Sequence, residues 1–134
     1  MTTILPQTGF VVWMTGLPTA GKSTAAKALQ TLLAKRGIPS LILDTDELRP
    51  LLTPSPNHTV DESEWLYGVI AQWAAWLAKQ GQNVLIAATA NERRYRDTLR
   101  HMVPHLTEVY LFCDSEIEQE RLRENNLLCF YGGL

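Results

Sequence analysis

One stretch near the beginning of the chain constrains its fold more than any other. Its letters fit the phosphate-binding loop pattern G-x-x-x-x-G-K-[ST] at every fixed position, and its residues are Gly16, Leu17, Pro18, Thr19, Ala20, Gly21, Lys22, Ser23 and Thr24. The glycines let backbone N–H groups turn toward a phosphate, the lysine reaches its outer oxygens, and the serine hydroxyl ligates Mg²⁺. The pattern therefore predicts that all nine positions surround the phosphates of a nucleotide.

The flanks of this loop predict the strand and helix that such a loop joins. Residues 10–15 are an apolar run, typical of a buried parallel strand. Apolar residues then recur at helical spacing from Thr24 to Arg36, and Gly37 follows as a stop. A helix starting near Lys22 directs its positive end at the same anion. The alternative is a glycine-rich turn without a chemical role.

The rest of the chain alternates apolar runs with amphipathic stretches, which predicts one α/β domain over residues 1–134. Further strands are predicted over 40–43, 83–88 and 108–113, and further helices over about 59–80, 91–103 and 115–125. Residues 50–58, which contain three prolines, predict a loop. Thr59 with Glu62 and Ser115 with Glu118 have capping-box spacing.

Two carboxylates follow the second predicted strand. Residues just past the carboxyl end of a parallel strand lie where ligands bind, so Asp44 and Asp46 are candidates for a Mg²⁺ site or a general base. The alternative is that Asp44 or Thr45 only caps a short helix. The two roles are compatible.

Arginines follow the third predicted strand. Arg93, Arg96 and Arg100 fall on one side of the predicted helix, and a guanidinium binds phosphate or sulfate through two hydrogen bonds. The alternative is a solvated helix face, which we favour for Arg94 and Arg100.

The helix predicted over 59–80 carries more large apolar residues than one face needs, including three tryptophans. Because tryptophan is usually buried, one interpretation is a thick core helix. The other is a helix that also forms a dimer face or a wall of the substrate site.

Composition narrows the classes of partner. The net charge of −2 supplies no basic field for nucleic acid or an anionic membrane, and the apolar runs are too short to span a bilayer. Cys113 and Cys129 have no metal-ligand spacing. We find no signal peptide in the first residues and expect a cytoplasmic location, without nucleic-acid or membrane partners.

Taken together, these motifs resemble those of adenylylsulfate (APS) kinase, which phosphorylates the 3′-hydroxyl of APS with ATP. The loop resembles that family's G-L-S-G-A-G-K-S-T. Its L-D-G-D-N-x-R segment matches residues 43–49 at Asp44, Asp46 and Arg49, its R-x-x-R-D matches Arg93, Arg96 and Asp97, and its E-V-Y strand matches residues 108–110.

The resemblance implies a P-loop NTPase fold, a parallel sheet of order 2-3-1-4 with helices on both faces, and ATP with Mg²⁺. It implies that Lys22 holds the phosphates, that Ser23 and an aspartate act on Mg²⁺, and that Asp44 or Asp46 orients or deprotonates the acceptor. The residues that it implies for the acceptor are Arg49, Arg93 and Arg96.

The chain departs from the family in four places. Residues 62–69 lack the arginines and asparagine of D-R-x-x-N-x-R-R, residues 90–92 replace S-P-Y, the lid motif stops after Arg121, and no final strand precedes Leu134. We therefore expect nucleotide binding, poor use of APS and slow turnover by the chain alone. We also expect either a homodimer or a longer natural form that supplies the missing parts, since an open fourth strand pairs with a second copy or with the tail.

Two hypotheses follow. The first is a kinase that acts on a small-molecule hydroxyl, and the second is a nucleotide-binding module with little turnover. A GTPase is weaker, because the chain has no Asn-Lys-x-Asp guanine-binding motif.

Overall fold

A computed structural model describes residues 8–16, 21–53, 59–88 and 93–111 of the chain. Within these ranges, strands and helices alternate as the sequence predicts. They are β1 (Val11–Gly16), α1 (Lys22–Lys35), β2 (Leu41–Asp44), α2 (Thr45–Leu52), α3 (Val60–Lys79), β3 (Val84–Ala87), α4 (Arg93–Arg100) and β4 (Leu106–Leu111).

The described strands form one parallel sheet of order β2-β3-β1-β4, which confirms the predicted order. Its register places Asp44 beside Ala87 and Ala87 beside Met14. The carboxyl end of β2 therefore lies on the same edge of the sheet as the end of β1, where the phosphate-binding loop begins. The α/β class and the P-loop NTPase fold are thus as predicted.

Apolar side chains alternate along β1 and pack on both faces of the sheet, so helices cover both, as predicted. Trp13 points into one cluster with α3 and α4, and Met14 points into a second cluster with α1. Strands that are buried on both sides are expected to be continuously apolar, which explains why residues 10–15 lack polar alternation.

The face that α3 turns to the sheet is rich in alanine. Leu66 and Ile70 are buried there together with Ala71, Ala74, Ala75 and Ala78. Small side chains let the helix approach the sheet closely, so the tryptophans are left outside this contact. The expectation of buried tryptophans is therefore wrong for Trp65 and Trp76, whose exposures are 50% and 58%.

Two predicted boundaries and one predicted burial pattern differ from the structure. Residues 50–52 are the end of α2 rather than loop, because Pro50 lies near the helix end and the next bond, from Thr53 N to Arg49 O at 2.9 Å, is still made. β4 begins at Leu106, which pairs with Val11, rather than at residue 108. β2 is buried only at its carboxyl end, because it is an edge strand of the described sheet.

One hydrogen bond of the first predicted capping box is confirmed. Thr59 is the N-cap of α3 and its hydroxyl accepts from the Glu62 amide at 3.2 Å. The second box, the helix over 115–125 and both cysteines lie outside the described residues.

β4 is the second edge strand of the described sheet and pairs with β1. An apolar groove of about 240 Å³ lies beside it, between α1 and β4, with Leu29, Leu32 and Val109 in its lining. Dimerisation through this edge stays a prediction. None of the helices in the described ranges is long and apolar enough to cross a membrane.

Candidate active site

The described ends of the phosphate-binding loop are joined by its lysine. Gly21 is the N-cap of α1 and has φ 85°, a left-handed conformation that glycine adopts without the steric cost of a Cβ. The Nζ of Lys22, in the first turn of α1, donates a hydrogen bond to the carbonyl oxygen of Gly16 at 3.1 Å. The predicted contacts of Leu17, Pro18, Thr19 and Ala20 fall on residues that the structure does not describe.

Lys22 is almost completely buried at this edge of the sheet, with 7% of its surface exposed. Burial lowers the pKa of its ammonium group, and the negative charges of Asp46 and then Asp44 oppose that shift. The carboxylates of Asp44 and Asp46 therefore interact electrostatically with the ammonium group of Lys22 at the carboxyl end of the strands.

Asp44 joins the end of β2 to the start of α1. One carboxylate oxygen accepts a hydrogen bond from the hydroxyl of Ser23. The other accepts from the backbone amide of Asp46 at 2.9 Å and so caps α2. Asp44 therefore is a helix cap, as one interpretation predicts, and also contacts the predicted Mg²⁺-binding serine.

The donor set at this point fits Mg²⁺. The Ser23 hydroxyl and the Asp44 carboxylate are hard oxygen ligands in direct contact, and the carboxylate of Asp46 is exposed nearby. Among the described residues no group of three or more His, Cys, Asp or Glu side chains forms a metal cage. A sparse oxygen set is what Mg²⁺ requires, because it usually keeps waters and binds substrate phosphates together with one or two carboxylates.

Arg49, a predicted acceptor residue, lies one turn after Asp46 on α2. Its guanidinium pairs with the carboxylate of Glu62 on α3, and the two side chains are 12% and 7% exposed. Its side chain also hydrogen-bonds Tyr67, whose ring lies 4.9 Å from the ring of Tyr95, measured between centroids.

The arginines of α4 are also paired with carboxylates. Arg96 bonds one oxygen of Glu108 at 2.9 Å, and Arg100 bonds the other oxygen. The interpretation of Arg94 and Arg100 as surface residues fits their exposures of 54% and 43%. Arg93 is 77% exposed and pairs with Asp97, with 3.5 Å between its Nε and a carboxylate oxygen. Arg93 and Arg96 line a cavity of about 270 Å³ between α4 and β4.

The sequence analysis gives no functional role to three residues that contact the arginines of α2 and α4, beyond helix capping, helix packing or strand formation. They are Glu62, Tyr67 and Glu108, which hold Arg49 or Arg96. Glu62 has a local signal, the capping box, but that signal directs its carboxylate to the backbone amide of Thr59 rather than to another helix. The partner of its carboxylate is 13 residues away, on another helix, and no spacing rule indicates it.

Comparison with known proteins assigns this chain to a family. The family model described as adenylylsulphate kinase matches residues 8–127. An adenylyl-sulfate kinase of Deinococcus deserti is 37% identical over 114 residues, which are 85% of this chain and 63% of that protein. A probable adenylyl-sulfate kinase of Archaeoglobus fulgidus is 31% identical over 113 residues, which are 84% and 72% of the two chains.

A solved structure with the same fold is that of a Mycobacterium tuberculosis APS kinase in complex with AMPPNP and APS. It has a TM-score of 0.77 and 26% identity, and the match covers 90% of this chain and 75% of that one. This chain spans between 19% and 72% of the length of the curated relatives compared with it, and less than two thirds of the Deinococcus protein. Because the family model matches residues 8–127, which is nearly the whole sequence, the chain belongs to the adenylylsulphate kinase family.

Proposed function

We propose that this chain transfers the γ-phosphoryl group of ATP to a hydroxyl group of a small molecule. The observation that carries the proposal is the contact between Ser23 and Asp44 beside the buried Lys22. It joins the end of β2 to the phosphate-binding loop, so that a cation, a hydroxyl and a carboxylate lie at one edge of the sheet.

In this mechanism the protein positions the reactants and stabilises charge. The ammonium of Lys22 and the amides at the start of α1 bind the outer phosphates of ATP. Mg²⁺, held by Ser23 and Asp44, supplies neutralising charge at those phosphates when bound. The acceptor oxygen attacks the γ-phosphorus, the bond to the β–γ bridging oxygen breaks, and ADP leaves.

We assign the acceptor's proton to Asp46. Asp44 is buried and already accepts hydrogen bonds from Ser23 and from the Asp46 amide. The Asp46 side chain is exposed, at the first turn of α2, and its charge acts on Lys22. It is therefore the carboxylate better placed to orient an incoming hydroxyl and take its proton.

We propose that the acceptor carries less negative charge than APS. Arg49 and Arg94 each pair with a separate glutamate, and Arg96 and Arg100 share Glu108, so three carboxylates offset most of the positive charge of these four arginines. Recognition of a phosphate or sulfate group by arginine requires a guanidinium whose hydrogen bonds are available to the anion. Arg93 is the most exposed arginine of α4 and is the remaining candidate for an acidic group.

The second candidate function is a nucleotide-binding module with little turnover. ADP release, measured with ATP–Mg²⁺ and a panel of hydroxyl compounds that includes APS and neutral nucleosides and sugars, separates the two. We expect acceptor-dependent release with a compound of low charge and little with APS. Tight ATP binding without release for any acceptor would support the module instead, and fast release with micromolar APS would contradict the proposed selectivity.

A further inference from the structure

We propose that α3 carries a surface through which two copies of this chain pair, with their α3 helices antiparallel. The surface, which we call the outer face, consists of Trp65, Val69, Gln72 and Trp76. It lies on the opposite side of the sheet from the groove between α1 and β4. The pairing uses none of the phosphate-binding residues, so it can be tested without any measurement of turnover.

The four residues of the outer face form one continuous stripe along α3. They follow one another at intervals of four, three and four positions, which keeps side chains on one line of a helix with about 3.6 residues per turn. The same spacing is found where two helices pack along each other. Trp65 and Trp76 are 50% and 58% exposed, Gln72 is exposed and Val69 is half-buried. The stripe therefore presents apolar side chains to solvent.

The core of the protein does not use the two tryptophans of this stripe. The sheet-facing side of α3 is filled by Leu66, Ile70 and alanines, and Trp73 packs against that cluster from the side. An indole ring buries a large apolar area, and its N–H finds a partner at a polar rim, so tryptophan is enriched where two proteins meet. Two exposed tryptophans on one stripe therefore indicate a protein contact.

The charges at the ends of α3 indicate that the partner is a second copy of the chain. Asp61 is exposed in the first turn and Lys79 is exposed in the last turn, and a whole number of helical turns separates them. A twofold axis that crosses the middle of α3 brings Asp61 of each copy next to Lys79 of the other, and Trp65 next to Trp76. A parallel arrangement would instead place like charges opposite each other.

A cavity beside the outer face adds to the apolar surface that pairing removes from water. Trp65 lines this cavity of about 260 Å³ together with Leu52, Thr53 and Glu62. In the antiparallel arrangement, Trp76 of the second copy lies against Trp65 at the rim of the cavity. The contact therefore buries part of the cavity lining as well as the stripe itself.

Sedimentation of the 134-residue chain over a range of concentrations measures the pairing. We expect a dimer with a dissociation constant of about 1–10 μM, because a contact one helix long is at the small end of specific interfaces. Trp76→Glu should raise this constant by about 30-fold or more, as loss of a central aromatic residue does. Leu32→Glu is the matched control, since Leu32 is also 58% exposed but lies on α1. It should leave the constant within about twofold of the unmodified value.

An exchange of charges tests the antiparallel arrangement. Asp61→Lys places lysines next to each other at both ends of the contact and should raise the dissociation constant by about threefold or more. Addition of Lys79→Asp to the same chain restores opposite charges and should restore the constant. Both positions are exposed, so these variants remain informative if Trp76→Glu does not fold, which thermal unfolding shows.

Three results would overturn the proposal. The first is a monomer at about 100 μM, where the expected dimer predominates. The second is a dimer that a folded Trp76→Glu variant forms as well as the unmodified chain does. The third is a dimer that Leu32→Glu dissociates and Trp76→Glu does not, which would place the contact at the groove beside β4.

Discussion

The two sides of the site use charge in opposite ways. At the phosphate-binding end, a lysine and a serine from α1 and an aspartate from β2 converge at the carboxyl end of the strands, where the lysine bonds the last carbonyl of β1. On the α2–α3–α4 side, arginine and glutamate side chains from different elements pair with one another instead. In the proposed function the first arrangement serves a ligand, whereas the second pairs charges of the protein with one another.

The two sides of the proposed site therefore rest on different physical features. The phosphate-binding end depends on backbone geometry, such as the left-handed Gly21, and on contacts between neighbouring parallel strands. The other side depends on contacts between side chains of different elements, such as that of Arg49 with Glu62. Three predictions on the phosphate-binding end test how far the two sides are separate.

The largest effect is expected for Lys22→Ala. Removal of the cation that faces the outer phosphates should lower turnover by about 100-fold or more, with the fold retained because a costly buried charge is removed. Turnover and ATP–Mg²⁺ affinity are the measurements. Lys27→Ala, at an exposed position of the same helix, is the matched control and should behave like the unmodified chain. Unchanged affinity and turnover in Lys22→Ala would remove the basis for the phosphate-binding assignment.

An intermediate effect is expected for Asp44→Asn, which separates the two contacts of Asp44. Asparagine caps helices as well as aspartate does, so the melting temperature should change little. Loss of the charge beside Ser23 should lower turnover by roughly 10- to 100-fold, and affinity for ATP much less. Asp61→Asn, at an exposed first-turn position of α3, should leave both unchanged. Normal turnover in Asp44→Asn would mean that this residue is only a cap.

The sequence predicts the phosphate-binding end far better than the acceptor side, for a physical reason. The loop, the strand before it and the helix after it are contiguous, so a local pattern specifies them. Strand order also follows, since it is implied by the family resemblance. The contact of Glu62 with Arg49 joins two helices, and the exposure of Trp76 depends on how close α3 lies to the sheet. Such facts arise from tertiary packing, which periodicity and spacing do not encode.

The same limit explains the end of α2. Three prolines over residues 50–58 predict a loop, and yet Pro50 continues the helix. Proline removes one hydrogen bond that would reach back to Asp46, a modest loss near the end of a short helix. The Arg49–Glu62 pair and the packing of Leu52 against the core hold that last turn in place.

The smallest effect concerns pH and the phosphate-binding end alone. In the nucleotide-free protein, burial lowers the pKa of Lys22 below its ordinary value of 10.5. Phosphate oxygens favour the charged form and so oppose this shift. ATP binding should therefore take up a proton once the pH exceeds the lowered pKa, and affinity should fall from there toward 10.5, by at most about tenfold per pH unit. In the same window the unfolded chain binds more protons than the folded one, so the free energy of unfolding of the nucleotide-free protein should rise with pH. Calorimetry in two buffers of different ionisation enthalpy, repeated as the pH is raised toward 10.5, measures the uptake. Lys22→Arg should abolish it, because a guanidinium stays charged throughout. Equal uptake in both proteins would place the titrating group elsewhere in the site.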